Sequence, residues 1–136
     1  MCRFVRASRY STMDRFEYFR QANTAIVILQ VEGSAGLEAL PEILDVPGVD
    51  VLFIGPYDLS QNLGRPGQID HPDVESMMNQ IVSRCAERGV AVGTFVDTAE
   101  NAAKWRERGV RYIAYGVDVG LIAEKAASVR RVVMAQ

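Results

Sequence analysis

Residues 48–60 read GVDVLFIGPYDLS, and the fold follows from them. Residues 51–55 (VLFIG) are continuously apolar rather than alternating, the pattern of a strand covered on both faces. Gly55 and Pro56 then predict a tight, rigid turn, and Asp58 stands just past the strand end. Similar runs occur at residues 26–31 (IVILQV), 90–96 (VAVGTFV) and 111–115 (RYIAY). Three units share one punctuation: Gly48-Val49 leads to Asp58, Gly89-Val90 to Asp97, and Gly109-Val110 to Asp118. A glycine stops a helix, a strand follows, and an acid closes the strand. That is the grammar of successive βα units, not evidence of duplication.

Helices fill the intervals. The clearest is expected over residues 73–88, where Val74, Met77, Met78, Ile81, Val82 and Cys85 recur at the spacing of one buried stripe. Pro72 suits the first turn, Asp73 and Glu75 face the positive end of the dipole, and Gly89 is a natural stop. His71 reads as part of this helix start rather than as a catalytic base. A second helix is expected from Asp97, at capping-box distance from Glu100, to Gly109, with Trp105 as a packing residue. A third begins near Val119 and shows Leu121, Ile122, Ala126, Val129 and Val133 on one face. Asp118, like Asp97, reads as a cap. Residues 13–22 fit a helix capped by Ser11 or Thr12. Residues 34–45 are helical in pattern but carry Pro41, which predicts a kink or two short helices.

Strands alternating with helices through right-handed crossovers make an α/β protein with a parallel sheet. Two architectures stay open on pattern alone. One is an open doubly wound sheet. The other is part of a (β/α) barrel, of which 136 residues supply at most half, because eight units need about 250. Four parallel strands leave two open edges, so a second copy or a further stretch of chain is expected against them. Hydrophobic residues at 49% and charged residues at 24% exclude disordered and fibrous classes. A net charge of −2 gives no electrostatic basis for a nucleic-acid or anionic-membrane partner. No apolar run approaches the roughly 20 residues of a spanning helix. Residues 1–10 lack the apolar segment of a secretory signal. Two distant cysteines, Cys2 and Cys85, and one histidine argue against a disulfide framework and a Cys/His zinc site. The expectation is a soluble, reduced, cytoplasmic protein.

Chemistry in parallel α/β folds gathers at the carboxyl ends of the strands. Glu32 follows the first strand and Asp58 the second. Neighbouring strands lie about 4.8 Å apart, so two such carboxylates can reach one ion at about 2.1 Å each. Oxygen donors favour magnesium or manganese over zinc, with cobalt a further candidate. The competing reading of either acid is a helix cap or a solvated charge. In residues 55–60 the backbone N–H groups, Gly55 and Tyr57 among them, can point at an anion. An anion-binding turn beside a cation site suits a substrate with a carboxylate next to a carbonyl. Residues 61–71 read as a polar loop of the lid or specificity kind, and Arg65 in it as a surface charge.

Gln30-Val31-Glu32, residues 48–60, His71-Pro72-Asp73-Val74 and Tyr115-Gly116-Val117-Asp118 occur in this order. Together they resemble the second half of the HpcH/HpaI aldolase family, over nearly the whole chain. The pairing of Gln-Val-Glu with Gly-Pro-x-Asp-Leu-Ser is the specific part. The resemblance implies a metal-dependent class II aldolase, a carbon–carbon lyase. Such enzymes cleave 2-keto-4-hydroxy acids, such as 4-hydroxy-2-oxo-heptanedioate or 2-keto-3-deoxy sugar acids, to pyruvate and an aldehyde. It implies that residues 1–136 are one domain forming strands five to eight of a TIM (β/α)8 barrel. By the same resemblance Glu32 and Asp58 are metal ligands and Gln30 reaches the pyruvate–metal site. The backbone of Gly55 and Tyr57 holds the pyruvate carboxylate, and Phe95 and Tyr115 line an apolar wall. Tyr115 is bulkier than the family's residue at that place, which bears on the size of the aldehyde.

The family's first half carries an acid/base histidine and an arginine that clamps the enolate oxygen. Neither has a counterpart here, and His71 does not match that histidine, so the catalytic base is unassigned. The family forms hexamers through its C-terminal helices. Residues from Leu121 onward are therefore expected as oligomer contacts, in a homo-oligomer or in pairing with a missing N-terminal half. Three other readings compete. One is a citryl- or malyl-coenzyme A lyase, disfavoured because no basic patch awaits the coenzyme's phosphates. Another is a receiver-like or flavodoxin-like signalling module, disfavoured because Glu32 is followed by Gly33-Ser34 and no lysine follows the last strand. The third is a non-catalytic remnant.

Overall fold

A computed structural model describes residues 4–135. After a short 3-10 turn the chain forms α1 (Arg15–Ala22), β1 (Ile28–Val31), α2 (Ser34–Glu38) and α3 (Leu40–Leu44). It continues through β2 (Val51–Ile54), α4 (Pro56–Asn62), α5 (Pro72–Glu87) and β3 (Ala91–Val96), and ends with α6 (Ala99–Glu107), β4 (Tyr112–Tyr115) and α7 (Asp118–Met134). The four strands form one parallel sheet in the order β1-β2-β3-β4. A doubly wound sheet reverses its strand order at a switch point; this sheet does not. Sequential order with every crossover advancing the same way is barrel topology.

The register explains which face is which. Leu29, Leu52 and Val92 lie side by side, as do Val31, Ile54 and Thr94. These rows belong to the packed face: Leu52, Ile54 and Thr94 are fully buried and Val31 and Val92 nearly so. Helix α5 lies against it with Val74, Met78, Ile81, Val82 and Cys85 buried, the stripe read from the sequence. Burial raises the Cys85 thiol pKa to about 11. Trp105 is buried as expected, with the Arg108 guanidinium 4.9 Å from its ring centroid. The alternate row, Gln30, Phe53, Gly93 and Tyr112, points to the other face, as strand geometry requires. Gly93 has to be a glycine: a Cβ there would sit 2.8 Å from both the Phe53 and Tyr112 rings. This second face corresponds to the inner wall of a barrel.

Several boundaries differ from the sequence reading, each for a local reason. The turn expected at Gly55-Pro56 is the start of α4, because proline fits the first turn of a helix as well as it fits a turn. The loop after it is shorter accordingly. Asp14, not Ser11 or Thr12, caps α1, accepting from Phe16 N and Glu17 N at 3.0 Å each. Thr98, not Asp97, caps α6, accepting from Asn101 N at 3.1 Å. Asp118 lies inside α7 rather than before it. Residues 34–45 do split into two short helices, with Pro41 in the first turn of the second. His71 is the N-cap of α5, its Nδ1 accepting from Asp73 N at 3.2 Å. The stripe expected on α7 is present but no described residue of that helix is buried. Among the described residues no helix is long and apolar enough to cross a membrane.

Candidate active site

The site is assembled by register at the carboxyl ends of β1 to β4. Phe95 is paired with Ala114, two residues beyond the row containing Gly93 and Tyr112. By the same count Glu32 and Gly55 extend the inner face past β1 and β2. Gly55 is what gives the carboxylate room. A Cβ on Gly55 would lie 2.8 Å from Glu32 Oε2 and 3.1 Å from Gln30 Nε2, so both side chains occupy the space over its α-carbon. The Gln30 amide donates to Glu32 Oε2 and fixes that carboxylate. Asp58 stands in the first turn of α4, one residue beyond Tyr57. A carboxylate there is favoured by the positive end of the helix. Among the described residues no lysine or arginine forms an ion pair with Glu32 or Asp58.

This donor set suits a hard dication. It offers two carboxylates with no competing cation and an amide that orients one of them. No group of three or more His, Cys, Asp or Glu side chains is gathered among the described residues. Two carboxylates would leave coordination positions for water and a bidentate substrate.

Two of the expected substrate contacts come out differently. The Gly55 N–H is taken up by Val31 O at 3.3 Å, so it serves the sheet rather than an anion. The first intrahelical bond of α4 runs from Leu59 N to Gly55 O at 2.9 Å, which leaves the N–H groups of Tyr57 and Asp58 ahead of it. Tyr115 pairs with Val96, a core residue, while Ala114 pairs with Phe95. The register therefore gives the place beside Phe95 on the inner face to Ala114, and this argues against Tyr115 as a wall of the pocket. Phe95 itself is half-buried and its ring lies 6.3 Å from that of Tyr57.

Two residues in the neighbourhood were not expected from the sequence. Asp97, freed from capping, accepts a hydrogen bond from the Tyr57 hydroxyl. That bond, with burial and the charges of Asp97 and Asp70, pushes the Tyr57 pKa up to about 12. Asn62 donates from Nδ2 to the backbone oxygens of both Glu32 and Asp58. The signal for Asn62 was faint: it is four residues after Asp58, a helical spacing in a segment that reads as loop.

On the flank, Lys104 of α6 reaches Asp70 at 2.9 Å and Glu75 of α5 at 2.8 Å, and Arg108 reaches Glu75 at 2.9 Å. The Lys104 hydrogen bond lowers the Glu75 pKa against the opposing effect of burial. Burial would lower that of Lys104, but its bonds to Glu75 and Asp70 raise it. This clip ties two helices together and lies outside the carboxylate site.

A family model described as HpcH/HpaI aldolase/citrate lyase matches residues 4–125. Among curated proteins, a 4-hydroxy-2-oxo-heptane-1,7-dioate aldolase from Klebsiella pneumoniae is 38% identical over 90% of this chain and 46% of its own length. One of the same name from Escherichia coli is 37% identical over the same shares. A solved HpcH/HpaI aldolase/citrate lyase family protein from Burkholderia cenocepacia superposes with a TM-score of 0.87 at 36% identity. It covers 98% of this chain, which in turn covers 52% of it. The citrate synthase SbnG gives 0.78 at 28% identity, over 89% of this chain and 50% of its own. The chain thus spans about half the length of the relatives it matches.

Proposed function

The chain belongs to the HpcH/HpaI aldolase/citrate lyase family, and from that premise we propose that it is the metal-side half of a class II pyruvate aldolase. In this reading residues 1–136 are the C-terminal half of a (β/α)8 barrel. The reaction is cleavage of a 2-keto-4-hydroxy acid to pyruvate and an aldehyde. The observation that carries it is the placing of Glu32 over the bare α-carbon of Gly55, next to the helix turn that holds Asp58.

Glu32 and Asp58 would hold a divalent ion, magnesium or manganese with cobalt a further candidate. When bound, that ion supplies positive charge where the keto oxygen becomes an enolate. The chain's own residues do the rest of what this half can do. Gln30 keeps the Glu32 carboxylate in one orientation. The Tyr57 N–H at the start of α4 is placed to receive the substrate carboxylate. Gly55 contributes an absent side chain. Phe95 and Ala114 form an apolar floor that limits water near the scissile bond. The group that takes the proton from the C4 hydroxyl is not identified in this chain. His71 is engaged at the start of α5, on an element remote in role from the carboxylates.

The same structure supports a partner reading. The apolar stripe of α7 and the free edges of β1 and β4 fit a homo-oligomer, or pairing with an N-terminal half, of a cytoplasmic enzyme. The test is binding of the product. With Mn2+ present, the chain is expected to broaden the methyl proton resonance of pyruvate, and Asp58→Asn is expected to remove that broadening. Equal broadening by the wild type and the variant would refute the reading. So would vigorous retro-aldol turnover by this chain that His71→Ala abolishes, since it would assign the base to His71.

A further inference from the structure

Asn62 stands at the last residue of α4, and its side-chain amide lies between the two segments that bear the candidate metal carboxylates. Nδ2 donates to Glu32 O at 3.2 Å and to Asp58 O at 3.3 Å. Oδ1 accepts from Ser34 N at 3.3 Å. The amide's orientation is determined by this network: the two-hydrogen nitrogen faces two carbonyls and the oxygen faces an N–H. Reversing it would oppose like groups at all three contacts. Gly33 passes alongside, and a Cβ on it would meet the Asn62 amide at 3.6 Å.

The consequence is geometric. Glu32 belongs to the connection leaving β1 and Ser34 opens α2, whereas Asp58 belongs to the first turn of α4. These segments are more than twenty residues apart in sequence, and one side chain bonds the backbone of both carboxylate-bearing residues. We propose that Asn62 is a positioning residue for the metal pair, fixing the separation of the Glu32 and Asp58 backbones so that both carboxylates serve one ion. The inference rests on the reading of Glu32 and Asp58 as metal ligands. The Asn62 side chain bonds backbone atoms rather than either carboxylate. Residues that orient metal ligands from behind typically change affinity 10- to 100-fold when removed.

The test is the Kd for Mn2+ of the full chain, read from the electron paramagnetic resonance signal of the free ion. Asn62→Ala is expected to raise the Kd about tenfold. Gln61→Ala, one residue earlier, is expected to leave it unchanged. Melting of the metal-free proteins separates positioning from simple support, since a purely structural role would lower the melting temperature and leave the Kd of the folded chain where it was. If Asn62→Ala does not fold, the near-isosteric Asn62→Leu carries the same comparison. A Kd within twofold of wild type in the folded Asn62 variant, with Glu32→Gln strongly weakened, overturns the positioning role and leaves the metal pair standing. A Kd unmoved by Glu32→Gln overturns the metal pair and the inference with it.

Discussion

Helices α5 and α7 are nearly equal in length, 16 and 17 residues, and both carry an apolar stripe at helical spacing. In α5 five residues of that stripe are buried under the sheet. In α7 none is: Ile122 is 69% exposed and Val133 is 64% exposed. Periodicity therefore reports that a helix needs an apolar partner and is silent about which chain provides it. For α5 the partner is the outer face of β2 and β3. For α7 the described residues provide none.

The two helices should answer mutation in opposite ways. The largest effect is expected in α5. Ile81→Ala should destabilise the fold by about 2–5 kcal/mol, the range for cavities in packed cores, measured by urea denaturation. The matching change in α7, Ile122→Ala, should move the stability of the dissociated chain by less than about 0.5 kcal/mol. Equal costs would mean that α7 packs on its own chain. A second variant sharpens the contrast. Ile122→Glu should shift association to higher concentration in analytical ultracentrifugation while the fold persists, because it puts a charge into the stripe that the proposed partner surface would cover.

A smaller effect is expected where α5 meets α6. Lys104→Ala should cost about 0.5–1 kcal/mol, since the pair is only partly shielded from solvent. The pH dependence follows from the signs. Glu75 has a lowered pKa, so its contribution is present above its ordinary value of 4.5 and is lost as pH falls through the folded value. Lys104 has a raised pKa, so its contribution is present below its ordinary value of 10.5 and is lost as pH rises through the folded value. The stability difference between wild type and Lys104→Ala should be flat between those limits and shrink in acid. A difference that grows in acid would contradict the assignment. The smallest effect is local to the rim. Ultraviolet titration, with Tyr57→Phe as the subtraction, should place the Tyr57 phenol near 12, and Asp97→Asn should bring it back toward 10.

The same contrast shows what a sequence discloses. The buried run at residues 51–55 and the stripe of α5 are local patterns created by burial, and a parallel α/β sheet could be read from them, whereas the barrel was implied only by the family resemblance. Helix α4 was hidden because Gly55-Pro56 is compatible with both a turn and a helix start, and only packing decides between them. Asp97 and Thr98 are adjacent cap formers; the hydroxyl of Thr98 takes the cap, and Asp97 turns to Tyr57 instead. Tyr115 and Ala114 are neighbours in sequence that face opposite sides of the sheet, so a one-residue difference in register separates pocket wall from outer face. Asn62 offered only its helical spacing from Asp58, because its partners Glu32 and Ser34 come to it only through the pairing of β1 with β2. Glu32 and Asp58 were legible as strand-end acids, and their company is what the fold adds.

The proposed site is one ion held by both of these carboxylates. Isothermal titration of Mn2+ into the full chain tests it most directly. The expected result is one ion per chain for the wild type, and loss of that site in Glu32→Gln and in Asp58→Asn alike. Retention of wild-type binding in either variant would show that the two acids do not share an ion.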